Sequence, residues 1–346
     1  MLLTRLGISA EALLDGAAPR SIPTFGEYVG QIADAVPPGT RRAYLAYWRR
    51  VLEQWGGRRL DEPTASEIKQ LAESARASAV VRSNSRGGRS AGEHMIAALR
   101  CIYSHAVADG LIPESANPAI RVPKPRRLAS ARHALTNEQL SQVCAVAGTT
   151  GDDSELDTLL LRLHIETACR RGGALALRPM DLDSEQCLVR LREKGETIRW
   201  QPVSPTLMHH LVRHRQRRGG EDRYEQLLRY RNGRPITRRR YDYIWARIGR
   251  HLAWVATQQI STHWLRHTTL TWVERHFGYA TARTFAGHTG RGDAGSTATY
   301  VRADLHDVAT ATAALTGEPH PLANTSVLDS HSPRLPADES ALLPWH

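Results

Sequence analysis

Cysteine is scarce here, and the four present, Cys101, Cys144, Cys169 and Cys187, include no CxxC pair. Neither a zinc site nor a disulfide framework is signalled, and a reducing cytoplasm fits best. Long apolar runs are missing: none approaches the roughly 18 residues that a membrane-crossing helix needs. The first residues, MLLTRLGISAEALLDG, carry too short an apolar run and acids too early for a signal peptide. Internal repeats are absent. Acids are in deficit, 35 Asp and Glu against 46 Lys and Arg, a net charge of +11. That imbalance favours a polyanionic partner, either nucleic acid or an anionic membrane surface.

At 346 residues the chain is long enough for two domains with real cores. Arg supplies most of the positive charge, and its planar fork matches phosphate oxygens two at a time. Segment 317–346 holds one Arg against four acids, so the positive field belongs to what precedes it.

Residues 1–20 read as a flexible arm, and amphipathic patterns follow. Tyr44, Tyr47, Trp48, Val51, Leu52 and Trp55 recur at three- and four-residue steps, which predicts a helix that Gly56-Gly57 stops. Thr64-Ala65-Ser66-Glu67 is a capping box opening the next helix. The polar stretch 82–90 reads as a basic loop. Met95, Ile96, Leu99, Ile102 and Tyr103 then mark one face of a helix over about 92–108. Four short helices thus make a bundle over 21–122. A proline- and arginine-rich linker follows at 123–131. Thr136-Asn137-Glu138-Gln139 caps the first helix of a second domain, 132–316. Alternation through 187–203 predicts a β-hairpin with Lys194-Gly195 at its tip. Beyond 316 the chain turns to Pro, Ser and Asp with little periodicity, so 317–346 reads as a disordered tail.

Several segments share one kind of chemistry. TACRRGGALAL contains Arg170, the hairpin tip Lys194, THWLRHT both His263 and Arg266, and AGHTGRGDAGSTATYV both His288 and Tyr300. Phosphoryl transfer at a DNA phosphodiester gathers negative charge on the non-bridging oxygens. Two fixed guanidiniums can hold that charge by bidentate hydrogen bonds. A nucleophile must attack in line, and the leaving 5′ oxygen needs a proton. Arg170, Arg266, Tyr300, Lys194, His263 and His288 meet these needs with no metal and no cofactor. His263 and His267 are spaced like zinc ligands, but the intervening WLR lacks the Glu of HExxH. His209, His210 and His214 cluster loosely and read as solvent-exposed.

Taken in order, these residues resemble the tyrosine recombinase, or phage integrase, family. Its first arginine segment matches Thr167-Ala168-Cys169-Arg170, and its hairpin lysine matches Lys194. Its H-x-x-R box matches His263 and Arg266, its G-H pair Gly287-His288, and its nucleophile Tyr300. The resemblance covers roughly 21–312. It implies that Tyr300 forms a 3′-phosphotyrosyl link while Lys194 protonates the leaving 5′ hydroxyl. His263 assists proton movement, and His288 donates to the phosphate. A partner strand's hydroxyl then attacks, giving a Holliday junction. Two departures stand out. The family usually carries an acid three residues after the first arginine, where this chain has Gly173; the carboxylate is absent or comes from elsewhere, with Glu166 one source. The His288-to-Tyr300 spacing is also longer than the family's, with glycines inside it. Tyr279 is a fallback nucleophile.

The resulting expectation is a mainly α fold, a helical core-binding bundle plus an α+β catalytic domain with a small antiparallel sheet, closing as a C-shaped clamp on DNA. The resemblance implies a homotetramer on double-stranded DNA, a dimer at each specific recombination site, acting in integration, excision or resolution of a mobile element. The C-terminal helix, anchored by Leu305, Val308 and Leu315, would pass between neighbours. Candidate DNA contacts are Arg41, Arg42, Arg82, Arg86, Arg89, Arg126 and Arg127, and the run Arg238, Arg239 and Arg240 beside Tyr241 and Tyr243. A type IB topoisomerase and a non-catalytic DNA-binding protein of the same fold remain as alternatives.

Overall fold

A computed structural model of the chain describes residues 21–79, 88–123, 133–193, 197–219, 222–287 and 303–324. Two compact units divide it, Met1–Ala129 and Ser130–His346. No helix among the described residues is long and apolar enough to cross a membrane.

In the first unit a reciprocal capping box of Thr24 and Glu27 starts α1, Phe25–Ala35. Helix α2, Pro38–Trp55, opens on a proline, whose missing N–H costs nothing in a first turn, and ends at Gly56. Helix α3, Ala65–Ala77, begins at the capping box read from the sequence: the Thr64 amide donates to Glu67 Oε2 at 2.7 Å and the Glu67 amide to Thr64 Oγ1 at 3.3 Å. Helix α4 spans Arg89–Ala108. Phe25, Trp48, Val51, Ile68, Met95, Leu99, Ile102 and Tyr103 are buried between these helices. The two polar aromatics among them are satisfied, Trp48 Nε1 donating to the Ala98 carbonyl at 3.1 Å and the Tyr103 hydroxyl to the Leu60 carbonyl at 3.0 Å. Tyr44 and Tyr47 are only half-buried, and Tyr47 stacks on His94 at 5.7 Å.

The second unit begins with α5, Asn137–Thr149, capped by Thr136 and Gln139. It continues through α6, Ser154–Thr167, the short α7, Arg171–Leu175, and strands β1, Leu182–Asp183, β2, Leu188–Arg192, and β3, Ile198–Pro202. Helices α8, Pro205–Arg218, α9, Arg238–His251, α10, Ala253–Gln258, α11, Thr262–Phe285, and α12, Leu305–Thr316, complete it. Helix α6 lies at the centre, packed by α5, α8, α11 and α12, and its Leu156, Leu160, Leu161, Leu163 and Ile165 are buried. Gly278, at φ 80° and ψ 170°, kinks α11. The three strands form one antiparallel sheet in the order β1-β2-β3. A mainly helical fold with one small antiparallel sheet is what the residue patterns predict.

The hairpin register pairs Val189 with Gln201, Arg190 with Trp200 and Arg192 with Ile198. Alternation along β3 does not place its apolar residues inside. Ile198 and Trp200 are 61% and 41% exposed, while Gln201 is fully buried. Trp200 instead lies under the guanidinium of Arg190, 5.7 Å from its centroid, across the strand pair.

Helix α12 fills its own unit's core: Val308, Ala311 and Leu315 are buried there, whereas Leu305 is only half-buried. Order also continues past 316, where a disordered tail was expected. Glu318 pairs with Arg162 at 2.6 Å and accepts from the Thr206 amide at 3.0 Å, and His320 is buried with Nε2 3.2 Å from the Cys187 carbonyl. These contacts staple 317–324 across the start of α8. Residues 325–346 lie outside the described residues, as do 1–20.

Candidate active site

Arg170 stands at the N-terminus of α7, immediately after the turn that ends α6. Ala168 makes that turn with a left-handed backbone, φ 48°, a conformation costing an L residue about 1 kcal/mol. Its carbonyl accepts a hydrogen bond from Arg266 Nη1, and Arg266 Nη2 donates to the Ala286 carbonyl at 2.8 Å. Arg266 is buried in the first turns of α11, so it ties the end of α6 to the end of its own helix. Burial, and Arg170 next, hold its guanidinium below the usual arginine range. The two arginines, 96 positions apart in sequence, therefore lie close together, Arg266 holding the carbonyl two residues before Arg170.

Glu193 closes the group, directly after β2. Its Oε1 accepts from the Arg170 amide at 2.5 Å and its Oε2 from Arg170 Nη1 at 3.0 Å. A third guanidinium, that of Arg199 on β3, donates to the Thr167 carbonyl at 3.1 Å and to Gln201 Oε1. Burial pulls it down to about 10, with Glu193 opposing, so it stays cationic at neutral pH. Gly287 takes φ 68° against this side chain, and a Cβ there would come within 2.6 Å of Arg199 Nε. Only glycine fits that approach. Glu193 and Gly287 are the residues that precede Lys194 and His288 in sequence. Lys194, His288 and Tyr300 themselves lie outside the described residues.

His263 is exposed in the first turn of α11. Tyr279 is also exposed; its hydroxyl accepts from Arg283 Nη1 at 3.1 Å. Glu166 is not the carboxylate beside Arg170. It is buried against Arg162 at 2.6 Å and accepts from the Ser204 amide at 2.8 Å, joining α6 to the start of α8. Sequence reasoning missed Glu193 and Arg199. The signal for Glu193 was the missing acid at Gly173 together with an acid next to the hairpin lysine.

Among the DNA-contact candidates, Arg41 and Arg42 are exposed on α2, Arg41 pairing with Asp34 at 3.0 Å, and Arg89 is half-buried at the start of α4. Arg238 and Arg239 are exposed at the start of α9. Arg240 is not available to DNA: it is buried, with Nε 2.7 Å from Asp157 and Nη1 2.9 Å from Asp152. Tyr241 is buried beside His164, while Tyr243 is partly exposed beneath Arg240 and Arg247. Arg82, Arg86, Arg126 and Arg127 lie outside the described residues.

The histidine cluster divides. His209 and His210 are exposed, but His214 is buried, its Nε2 accepting from the Arg229 amide at 3.1 Å. His164 is buried too, with Nδ1 3.0 Å from the Cys169 carbonyl and Nε2 2.9 Å from the Tyr241 hydroxyl. A carbonyl only accepts, so Nδ1 carries the proton and the tyrosine donates to Nε2. Burial lowers both histidines to about 4. The unfolded chain protonates them near pH 6.5. Their contribution to stability is therefore whole above pH 6.5 and drains away as pH falls toward 4. By pH 5 the loss is about 2 kcal/mol for each. Urea unfolding at pH 7 and pH 5 reads this as a lower midpoint at unchanged slope. Equal midpoints would contradict buried neutral rings.

The phage integrase family profile matches residues 133–306, about half the chain and the stretch that carries every arginine, histidine and tyrosine of the constellation up to Tyr300. Tyrosine recombinase XerC of Chlamydia trachomatis is 27% identical over 199 residues, 56% of this chain and 62% of that protein. The match thus spans less than two thirds of such relatives' length. Among solved structures, a lambda integrase tetramer bound to a Holliday junction superposes with a TM-score of 0.58 at 14% identity, over 84% of this chain and 82% of that one. The Tn1549 transposon integrase in complex with circular intermediate DNA gives 0.59 at 17% identity, over 80% and 97%. Those identities speak for the fold. With the helical body around α6, the hairpin, the paired arginines and the profile match agreeing, the chain belongs to the phage integrase family, that of the tyrosine recombinases.

Proposed function

We propose that the protein is a site-specific DNA recombinase that cuts and rejoins strands through Tyr300. Attack of the Tyr300 oxygen on the scissile phosphorus forms the phosphotyrosyl bond while the bond from phosphorus to the 5′ oxygen breaks. Lys194 delivers the proton that the leaving oxygen takes up, and His263 assists removal of the tyrosine's proton. Arg170, Arg266 and His288 hold the non-bridging oxygens. A 5′ hydroxyl from a partner strand then displaces Tyr300, and the phosphodiester energy is retained, so no nucleotide cofactor is consumed. The single observation carrying this reading is the meeting of Arg170 and Arg266 beside the residues that lead into Lys194 and His288.

The substrate is double-stranded DNA with a specific site, bound as a dimer per site and a homotetramer per synapse, in integration, excision or resolution of a mobile element. Arg41, Arg42, Arg89, Arg238 and Arg239, with Arg82, Arg86, Arg126 and Arg127, supply backbone contacts. Such contacts make affinity fall steeply with salt.

The test uses a nicked suicide duplex whose sequence has been selected from a randomised pool by binding to the full chain. Wild type is expected to give a covalent protein–DNA band on a denaturing gel, and Tyr300→Phe none. Binding without a band from wild type would point to a DNA-binding protein that does no chemistry. A band persisting in Tyr300→Phe would move the nucleophile elsewhere, with Tyr279 next to be replaced. Relaxation of supercoils without exchange between two sites would favour a topoisomerase.

A further inference from the structure

The carboxylate that fixes Arg170 arrives from an unexpected place. Arg170 is 39% exposed at its side chain, so one edge is open to a ligand, while the Glu193 carboxylate that grips the other edge is fully buried. The grip is two-point, one oxygen on the backbone amide and one on Nη1, which sets both where α7 begins and how the guanidinium is turned. Gly173, three residues on, is buried beside the same group. A Cβ added at Gly173 would lie 3.1 Å from Glu193 Cγ, 3.4 Å from Glu193 Oε1 and 3.5 Å from the Arg192 carbonyl. Any side chain at 173 would therefore contend for the volume that Glu193 fills. A carboxylate reaching out from position 173 would crowd the one reaching in from position 193, which would have to shift to make room for it.

We propose that Glu193 is the positioning residue for Arg170, standing in for an acid on α7, and that Gly173 is the vacancy that admits it. The proposal rests on the recombinase reading for its catalytic meaning. Glu193 is also the covalent neighbour of Lys194, and its amide donates to the Thr197 carbonyl at 2.9 Å, closing the hairpin just before that lysine. One buried carboxylate thereby links the phosphate-facing arginine to the strand end from which the proton donor departs. Arg199 and Arg266 lie within its electrostatic reach as well, so it offsets the repulsion among three neighbouring guanidiniums.

The experiment compares Glu193→Ala, Gly173→Glu and the double variant Gly173→Glu/Glu193→Ala with wild type. Single-turnover cleavage of the suicide duplex by Glu193→Ala should fall about 100-fold, the scale of a misplaced catalytic group, with the duplex Kd within about threefold. Gly173→Glu alone should also be impaired, because the added side chain displaces the Glu193 carboxylate from its seat on Arg170 and sets a second negative charge beside it. The double variant should recover to within about tenfold of wild type, which general loosening of the fold would not produce. The Arg170 side-chain Nη–Hη NMR resonance gives a readout independent of cleavage: sharp and slowly exchanging in wild type, lost in Glu193→Ala, restored in the double variant. Cleavage by Glu193→Ala within about threefold of wild type, or a folded double variant no better than Glu193→Ala, overturns the proposal. If wild type forms no adduct, the recombinase reading fails, and the NMR series decides the positioning role: loss and return sustain it, an unchanged resonance in Glu193→Ala ends it.

Discussion

Replacing Arg266 with alanine is expected to slow strand cleavage by about a thousandfold, the scale of removing a fixed donor from a developing oxyanion. The side chain has two duties that a substitution removes together. It presents positive charge at a site already holding Arg170, and it holds the Ala168 and Ala286 carbonyls. Leaving two buried carbonyls without a donor costs about 1–3 kcal/mol each, so Arg266→Ala should also lower the unfolding midpoint. Arg266→Lys separates the duties. Lysine keeps the charge, but an ammonium cannot span both carbonyls as a planar fork does, so cleavage should still fall by about 100-fold. Arg170→Ala provides the contrast, since that side chain is partly exposed and donates to no backbone carbonyl among its described bonds. It should lose cleavage with a smaller loss of stability than Arg266→Ala, because buried Glu193 keeps the amide at 170 and the nearby charges of Arg199 and Arg266. Single-turnover cleavage and urea midpoints on the three variants check these expectations. Arg266→Lys cleaving within about threefold of wild type would mean that the charge at 266 suffices and that the fork on the two carbonyls is not needed for the chemistry.

The two arginines of this site were legible as members of short boxes. Arg170 and Arg266 are found together because the two segments carrying them end and begin helices that pack on one another, α6 and α11. Capping boxes at Thr64 and Thr136 were equally readable, since they depend on residues three apart. Long-range pairings were not. Glu193 reaches Arg170 across 23 positions, and nothing local distinguishes it from a solvated turn acid. The arginine run at 238–240 shows the same limit. Successive helical residues point about 100° apart, so three in a row cannot all face solvent on a helix packed along one side. Arg238 and Arg239 do, and Arg240 turns inward onto carboxylates supplied from the start of α6. His214 followed the same logic on α8, one face of which is buried under Arg229. Charge and periodicity give the class of a face; the partner that neutralises it comes from elsewhere in the chain.

Asp157→Asn is expected to produce the largest loss of stability of any single conservative change in the second unit, about 3–5 kcal/mol. Asp157 lies in the first turn of α6 with its side chain fully buried. Arg240 Nε donates to Oδ1 at 2.7 Å, and Arg247 Nη2 sits 2.7 Å from Oδ2, close but poorly aligned for a hydrogen bond, so charge more than direction holds that second arm. Arg240 is further engaged by Asp152 and the Asp153 carbonyl, whereas among the described residues no other carboxylate pairs with Arg247. Asparagine keeps the shape and removes the charge, leaving Arg247 buried without a counter-ion. The penalty is desolvation that nothing offsets, which is why breaking such a pair costs more than never having had it. Replacing all three, Asp157→Leu with Arg240→Met and Arg247→Met, should therefore recover most of the midpoint lost by Asp157→Asn. The cluster also fastens α9 to α6, and so fixes where Arg238 and Arg239 emerge. The triple variant tests whether that fastening needs charge: if its urea midpoint recovers and its duplex affinity at matched salt stays within about threefold of wild type, apolar packing orients α9 as well as the ion cluster does. A triple variant that stays as unstable as Asp157→Asn would show instead that the ions themselves hold the helix in place.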